Sequence, residues 1–160
     1  MKAARDISFE EALSRLQNLC STQEKCTGDL REKLRQWEIV PEQAEKIIAN
    51  LIKDKFVDDR RFAGFFVRDK QRISKWGREK IRFALVRKRL AKDIVDEALS
   101  SLPAENFESA LRELFARKAK ELDKYESYER KNRLIRFALQ RGFDYDLVFR
   151  LVDDYTKDID

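Results

Sequence analysis

Between Arg60 and Lys92 the chain places thirteen lysines and arginines against only Asp69 and Glu79. That is a local net charge of +11 in a chain of +5, so everything outside this stretch sums to −6. Cations at this density suit one kind of chemistry: holding a polyanion, most simply a nucleic acid or a nucleoprotein, by ion pairs with phosphate oxygens. The plainer reading is a solvated charged surface, the usual fate of Lys/Arg runs. Residues for covalent or acid–base work are scarce. There is no histidine, no Gly-rich phosphate loop, and no Ser or Cys in a nucleophile setting. Asp58–Asp59 and Asp153–Asp154 are adjacent pairs, but neighbours on a helix point about 100° apart and do not converge. Cys20 and Cys26 are the only cysteines. A structural zinc site needs four ligands, so both read as free, buried or half-buried thiols. The sequence thus predicts no catalytic residue, no metal and no cofactor.

Helices must carry the basic stretch. Phe62, Phe65, Phe66, Ile73, Trp76, Ile81, Phe83 and Leu85 run between the charges at the spacing of a pair of amphipathic helices. Four glycines and two prolines in 160 residues are too few for a turn-rich β protein. The chain is 41% charged, against about 25% in ordinary domains, which suits slim helices with much surface. No run approaches the ~18 apolar residues of a membrane span. The opening residues turn acidic without an apolar leader segment. The expectation is a soluble, cytoplasmic protein.

Capping and periodicity divide the chain into nine helices. Ser8 and Glu11 form a capping box ahead of a helix over about 9–20, with Phe9, Ala12, Leu13, Leu16, Leu19 and Cys20 on its core side. The second helix covers about Gly28–Trp37, with Leu30, Leu34 and Trp37 on one face. Pro41 opens the third, whose stripe is Ala44, Ile47, Ile48, Leu51 and Ile52. Asp58 and Asp59 open the fourth, with Phe62, Phe65, Phe66 and Ile73 as its core side and Gly64 read as a point of close helix packing. Gly77 breaks the chain before a fifth helix over 78–88. A sixth covers 92–101 and stops before Pro103. The last three cover 107–122, 128–140 (ending at Gly142) and 145–155. Ile81-Arg82-Phe83-Ala84-Leu85 recurs as Ile135-Arg136-Phe137-Ala138-Leu139, with Leu34-Arg35-Gln36-Trp37 in the same place in the first set. In each set an apolar stripe follows about thirteen residues on. The prediction is an all-α fold, an elongated crescent of three tandem three-helix repeats at 1–57, 58–103 and 104–160. Phe62, Phe66, Ile81 and Leu85 should form the middle core.

On the fifth helix Arg78, Arg82 and Arg89 form a ridge beside Leu85, while Lys80 and Arg87 lie roughly opposite, next to Phe83. With Arg68, Arg72, Lys75 and Lys88 these make the candidate polyanion patch. Trp76 and Phe83 either stack on bases or pack between repeats. Arg130, Arg133, Arg136 and Arg141 on the eighth helix form a weaker set. No residue set at a helix start suits base reading, so binding should be mainly electrostatic.

Asp58, Asp59, Arg61, Phe62, Ala63, Phe66 and Val67, then Gly77, Ile81 and Leu85, resemble the central signature of the RecX family, bacterial regulators of the RecA recombinase. Asp29-Leu30-Arg31-Glu32-Lys33-Leu34 is similar to that family's first-repeat segment, and Arg136 to Phe143 to its C-terminal one. Where the family often has Lys-Gly-Ile after helices 2 and 5, this chain has Glu38-Ile39-Val40 and Arg89-Leu90-Ala91. Lys70 replaces an arginine, keeping the charge without the planar fork. The resemblance implies a monomer that binds the RecA filament on single-stranded DNA, lowering its ATP hydrolysis and strand exchange without catalysis of its own. It places the chain in DNA repair, recombination and the SOS response. A general nucleic-acid-binding module without a RecA partner, and a helical scaffold with incidental charge, are the competing readings.

Overall fold

The computed structural model describes residues 6–157. Met1–Arg5, part of the opening read above as lacking a leader, lie outside the described residues, as do residues 158–160. Among the described residues there are nine α-helices and no strand. They are α1 (Phe9–Thr22), α2 (Thr27–Gln36), α3 (Pro41–Lys53), α4 (Asp59–Arg72), α5 (Arg78–Arg87), α6 (Lys92–Ser100), α7 (Ala104–Glu121), α8 (Ser127–Gln140) and α9 (Tyr145–Val152), with a 3₁₀ turn at Asp153–Tyr155. Local chemistry sets the starts. The Ser8 hydroxyl accepts from the Glu11 amide at 3.1 Å, and Asp58 accepts from the Arg61 amide at 3.1 Å. Pro41 occupies the first turn of α3, where its missing N–H costs nothing.

Three apolar cores follow one another along the chain. Leu16, Leu30, Leu34, Ile47 and Leu51 fill the first. Phe62, Ala63, Val67, Ile81, Leu85, Val95 and Leu99 fill the second, with Phe66 half-buried against it. Leu111, Phe115, Leu134, Ala138, Val148 and Leu151 fill the third. The cores interlock at their edges: Cys26 and Phe107 join the second, and Leu147 packs on both the second and the third. A tandem array of this kind touches mainly its neighbours. The surface agrees, at 10694 Å² against roughly 8,400 Å² for a compact protein of this mass.

The turn after each middle helix fixes the repeat register. Glu38, Arg89 and Gly142 sit at φ of 58°, 62° and 87°. The next amide then turns back: Ile39 donates to the Leu34 carbonyl at 3.0 Å, Leu90 to Leu85 at 3.4 Å and Phe143 to Ala138 at 3.1 Å. Leu34, Leu85 and Ala138 are therefore equivalent, as are Leu30, Ile81 and Leu134. The identical pentapeptide lies one residue out of this register, and Leu34 matches Leu85 rather than Ile81. One residue rotates a helical position by about 100°. Accordingly Ile81 is buried but Ile135 half-buried, and Phe83 is exposed but Phe137 half-buried. The repeats are present; the matching letters misplace their alignment.

Three expected core residues point outward. Phe65 is 50% exposed, Ile73 72% and Ile52 50%. The buried side of α4 is Phe62, Ala63, Val67 and Gln71, and at 100° per residue Phe65 stands about 180° from its centre. Ile73 is the residue at which α4 ends. Ile52 lies at the edge of the α3 stripe of Ala44, Ile47, Ile48 and Leu51. Gly64 does not mark close helix packing: a Cβ there meets only the Arg68 guanidinium, at 3.3 Å.

The glycines that do mark close approach are at the joints. A Cβ on Gly28 would fall 2.0 Å from the Lys88 carbonyl oxygen, and one on Gly77 2.2 Å from the Gly142 carbonyl carbon. Each joint therefore sets the start of one middle helix against the end of the next, α2 on α5 and α5 on α8. At the second, the Gly77 amide donates to the Arg141 carbonyl at 2.8 Å and the Glu79 amide to Gly142 at 2.9 Å. Orphan amides at one helix start thus satisfy orphan carbonyls at another helix end, with dipoles aligned head to tail.

Candidate polyanion-binding surface

The residues that carry the family resemblance build the joints and core of the array. Asp58 caps α4. Asp59 reaches back to the first repeat, where its carboxylate accepts from the Thr27 amide at 2.7 Å and the Thr27 hydroxyl at 2.7 Å. Arg61 pairs with Glu24 at 3.1 Å and donates to the Lys55 and Phe56 carbonyls at 3.5 and 3.4 Å. Phe62 stacks on Phe66 at 5.7 Å, and Phe66 meets Trp76 edge-on at 6.5 Å. Ala63, Val67, Ile81 and Leu85 are fully buried, and Gly77 presses on Gly142. Sequence reading made Asp59 a helix cap. Its partner lies 32 residues away, which no local pattern signals.

The nine residues of the expected patch do not form one surface. Arg78 is 3.9 Å from Asp144, with its guanidinium over the Phe107 ring at 4.9 Å. Arg82 pairs with Asp96 at 2.6 Å. The expected ridge of Arg78, Arg82 and Arg89 is thus largely occupied within the protein. Lys80 lies over Trp76 at 4.5 Å and Arg87 over Phe83 at 5.8 Å. Lys88 pairs with Asp29 at 2.8 Å across the first joint, and Lys75 with Glu113 at 2.8 Å across the second. Of the two aromatics left open by sequence, Trp76 packs against the middle core. Phe83 is 63% exposed and therefore not a packing residue. On α8, Arg133 pairs with Glu129 at 3.0 Å, Arg130 donates to the Tyr125 carbonyl at 3.0 Å, and Arg141 donates to the Ser74 carbonyl; Arg136 is exposed.

Grooves run along both joints, and two of them hold several members of the expected patch. Between α4 and α7 a groove of about 650 Å³ is lined by Phe65, Arg68, Arg72, Lys75, Leu102, Asn106 and Ser109, with Asp69 and Glu113 as its acids. Gln71 anchors its floor by donating to the Asn106 carbonyl at 2.9 Å. A second groove, about 550 Å³, lies between the first repeat and the end of α5 and holds Arg87, Lys88 and Arg89 beside Asp29, Glu32 and Glu45. Phe65 and Ile73, assigned to the core by sequence, are surface beside the first groove; a phase count along α4 would have placed Phe65 there.

Electrostatics at the joints follow from these pairs. Burial works to raise the Asp29 carboxyl, but the hydrogen bonds from Lys88 and the Cys26 amide outweigh it and hold it below the ordinary aspartate range. The hydrogen bond from Lys75 holds Glu113 low in the same way. Burial pushes the free Cys26 thiol up to about 11. Among the described residues no acidic or thiol cluster could hold a metal ion, and no helix is long and apolar enough to cross a membrane.

Family models for RecX match the chain twice: its second three-helix domain over residues 58–99 and its third over residues 106–152. The regulatory protein RecX of Clostridium botulinum (strain Eklund 17B / Type B) is 33% identical over 132 residues, covering 81% of this chain and 61% of that protein. That of Clostridium acetobutylicum is 35% identical over 125 residues, covering 76% and 58%. The chain thus spans about three-fifths of the length of these curated relatives. The crystal structure of RecX from Lactobacillus salivarius matches 92% of this chain and 96% of that one with a TM-score of 0.82 at 21% identity, a likeness of fold.

Proposed function

The chain belongs to the RecX family, and from that premise we propose that it regulates a RecA recombinase by binding the RecA filament on single-stranded DNA. It acts there as a cytoplasmic monomer, lowering ATP hydrolysis and strand exchange by bridging protomers or blocking filament growth, with no chemistry of its own. One observation carries the reading: an excess of +11 charge sits in a middle repeat built from the family's signature residues. A slim helical array with basic grooves at its joints suits a long anionic partner better than a small ligand.

The test is RecA's ATP hydrolysis on single-stranded DNA with purified protein added. Inhibition that rises to saturation is expected. A second reading, a general nucleic-acid-binding module, is favoured by Arg68 and Arg72, which meet no carboxylate at ion-pair distance among the described residues. Unaltered RecA hydrolysis combined with salt-dependent binding to single strands would select that reading.

A further inference from the structure

The groove between α4 and α7 holds more than charge. Phe65 turns away from the core, and the Arg68 guanidinium lies over its ring at 5.2 Å. Both are planar groups of the kind on which bases stack. Across the groove, the Asn106 amide and the Ser109 hydroxyl line the wall, and among the described residues neither side chain makes a hydrogen bond within the protein. Leu102 supplies an apolar floor. Lys75 is engaged by Glu113, which leaves Arg68 and Arg72 as the unpaired cations, with Asp69 the remaining acid. The volume, about 650 Å³, is within the roughly 300–1,000 Å³ range of small-ligand sites. The groove at the first joint has arginines but no aromatic side chain.

Resting on the reading that this protein meets a single strand within the filament, we propose that the α4–α7 groove seats unstacked bases of single-stranded nucleic acid. Phe65 and Arg68 are the stacking surface, Arg72 contacts the flanking phosphate, and Asn106 and Ser109 hydrogen-bond base edges. An acidic protein segment would be drawn to the same arginines. The free amide and hydroxyl, set beside an aromatic ring, fit a base better.

The experiment is fluorescence anisotropy of the full chain with an oligothymidylate and with an abasic phosphodiester of equal length, across a salt series. Wild type should prefer the oligothymidylate. Phe65→Ala, at an exposed position, should unfold at the wild-type temperature, lose about tenfold or more on the oligothymidylate and leave abasic binding unchanged. Arg72→Gln should lower the salt slope by about 0.7, the value for one phosphate contact released, and Arg68→Gln should weaken the preference for the oligothymidylate. Arg87→Gln with Arg89→Gln, at the other groove, should leave the base preference intact. Equal binding of the two probes by wild type, or an unchanged preference in Phe65→Ala, overturns the proposal. So does a Phe65→Ala protein that loses RecA inhibition while binding oligothymidylate normally, since the groove would then take protein. If wild type inhibits RecA yet binds neither probe, this inference fails and the filament reading stands. Base preference lost in Phe65→Ala, with RecA indifferent to wild type, upholds the groove and removes the filament.

Discussion

An alanine at Gly77 would bring its Cβ to 2.2 Å from both the Gly142 carbonyl carbon and the Phe143 nitrogen. Backbone on both sides leaves no side chain free to yield. Gly77→Ala should therefore cost about 1–3 kcal/mol in urea unfolding. Gly64→Ala is the converse case. Its one close neighbour is the mobile end of Arg68, so the better helix former should gain up to about 1 kcal/mol. A second residue-scale prediction concerns acid. Asp29 is held below its unfolded value, so folded protein binds fewer protons there than unfolded. Its contribution is complete above about pH 4 and disappears as pH falls through the depressed value. Asp29→Asn should be less stable than wild type at neutral pH, and the gap should close below pH 4. A gap that persists unchanged into acid would remove the Lys88 pair as its cause.

At the scale of elements, helix α4 is tied to the first repeat by one carboxylate. Asp59→Ala leaves the buried Thr27 amide and hydroxyl without their acceptor, a loss of about 1–3 kcal/mol by thermal or urea unfolding. Asp58→Ala, by contrast, removes only a cap at the helix start, worth about 1 kcal/mol. The helices themselves were legible in the sequence, because a 3.6-residue period and its capping residues are local properties. The register was not. Ile81 to Leu85 and Ile135 to Leu139 match in letters, but helix phase is set by the left-handed turns at Arg89 and Gly142, which come four and three residues after the pentapeptide ends. The partners of the ridge were not legible for a related reason. An arginine on an exposed face looks free until the neighbouring helix is placed, and α6 brings Asp96 to Arg82. The first repeat has the same pair in Arg31 and Glu45, 2.8 Å apart; at the corresponding positions the third has Ile135 and Phe149. Arg82 is thus part of a helix-to-helix tie, and Arg82→Gln should leave the salt slope of single-strand binding unchanged.

At the scale of the whole molecule, the joints follow one rule, the start of a middle helix laid on the end of the next. The two outermost ends differ. After α2, Glu38 holds the same left-handed turn as Arg89 and Gly142, so an accepting end is present there. Helix α8 begins one turn earlier than α5 relative to the shared core, and Arg130 stands inside it where Gly77 opens α5. Both joints use a middle helix that begins at this level, at Thr27 and Arg78, and the extra turn of α8 fills that place. Copies of this chain are therefore expected not to extend the array into one another, and sedimentation velocity should give one coefficient independent of concentration. As a grammar, the fold admits a prefix and no suffix: a spare middle repeat spliced ahead of α1 has a place to dock, and the same repeat spliced after α9 has none.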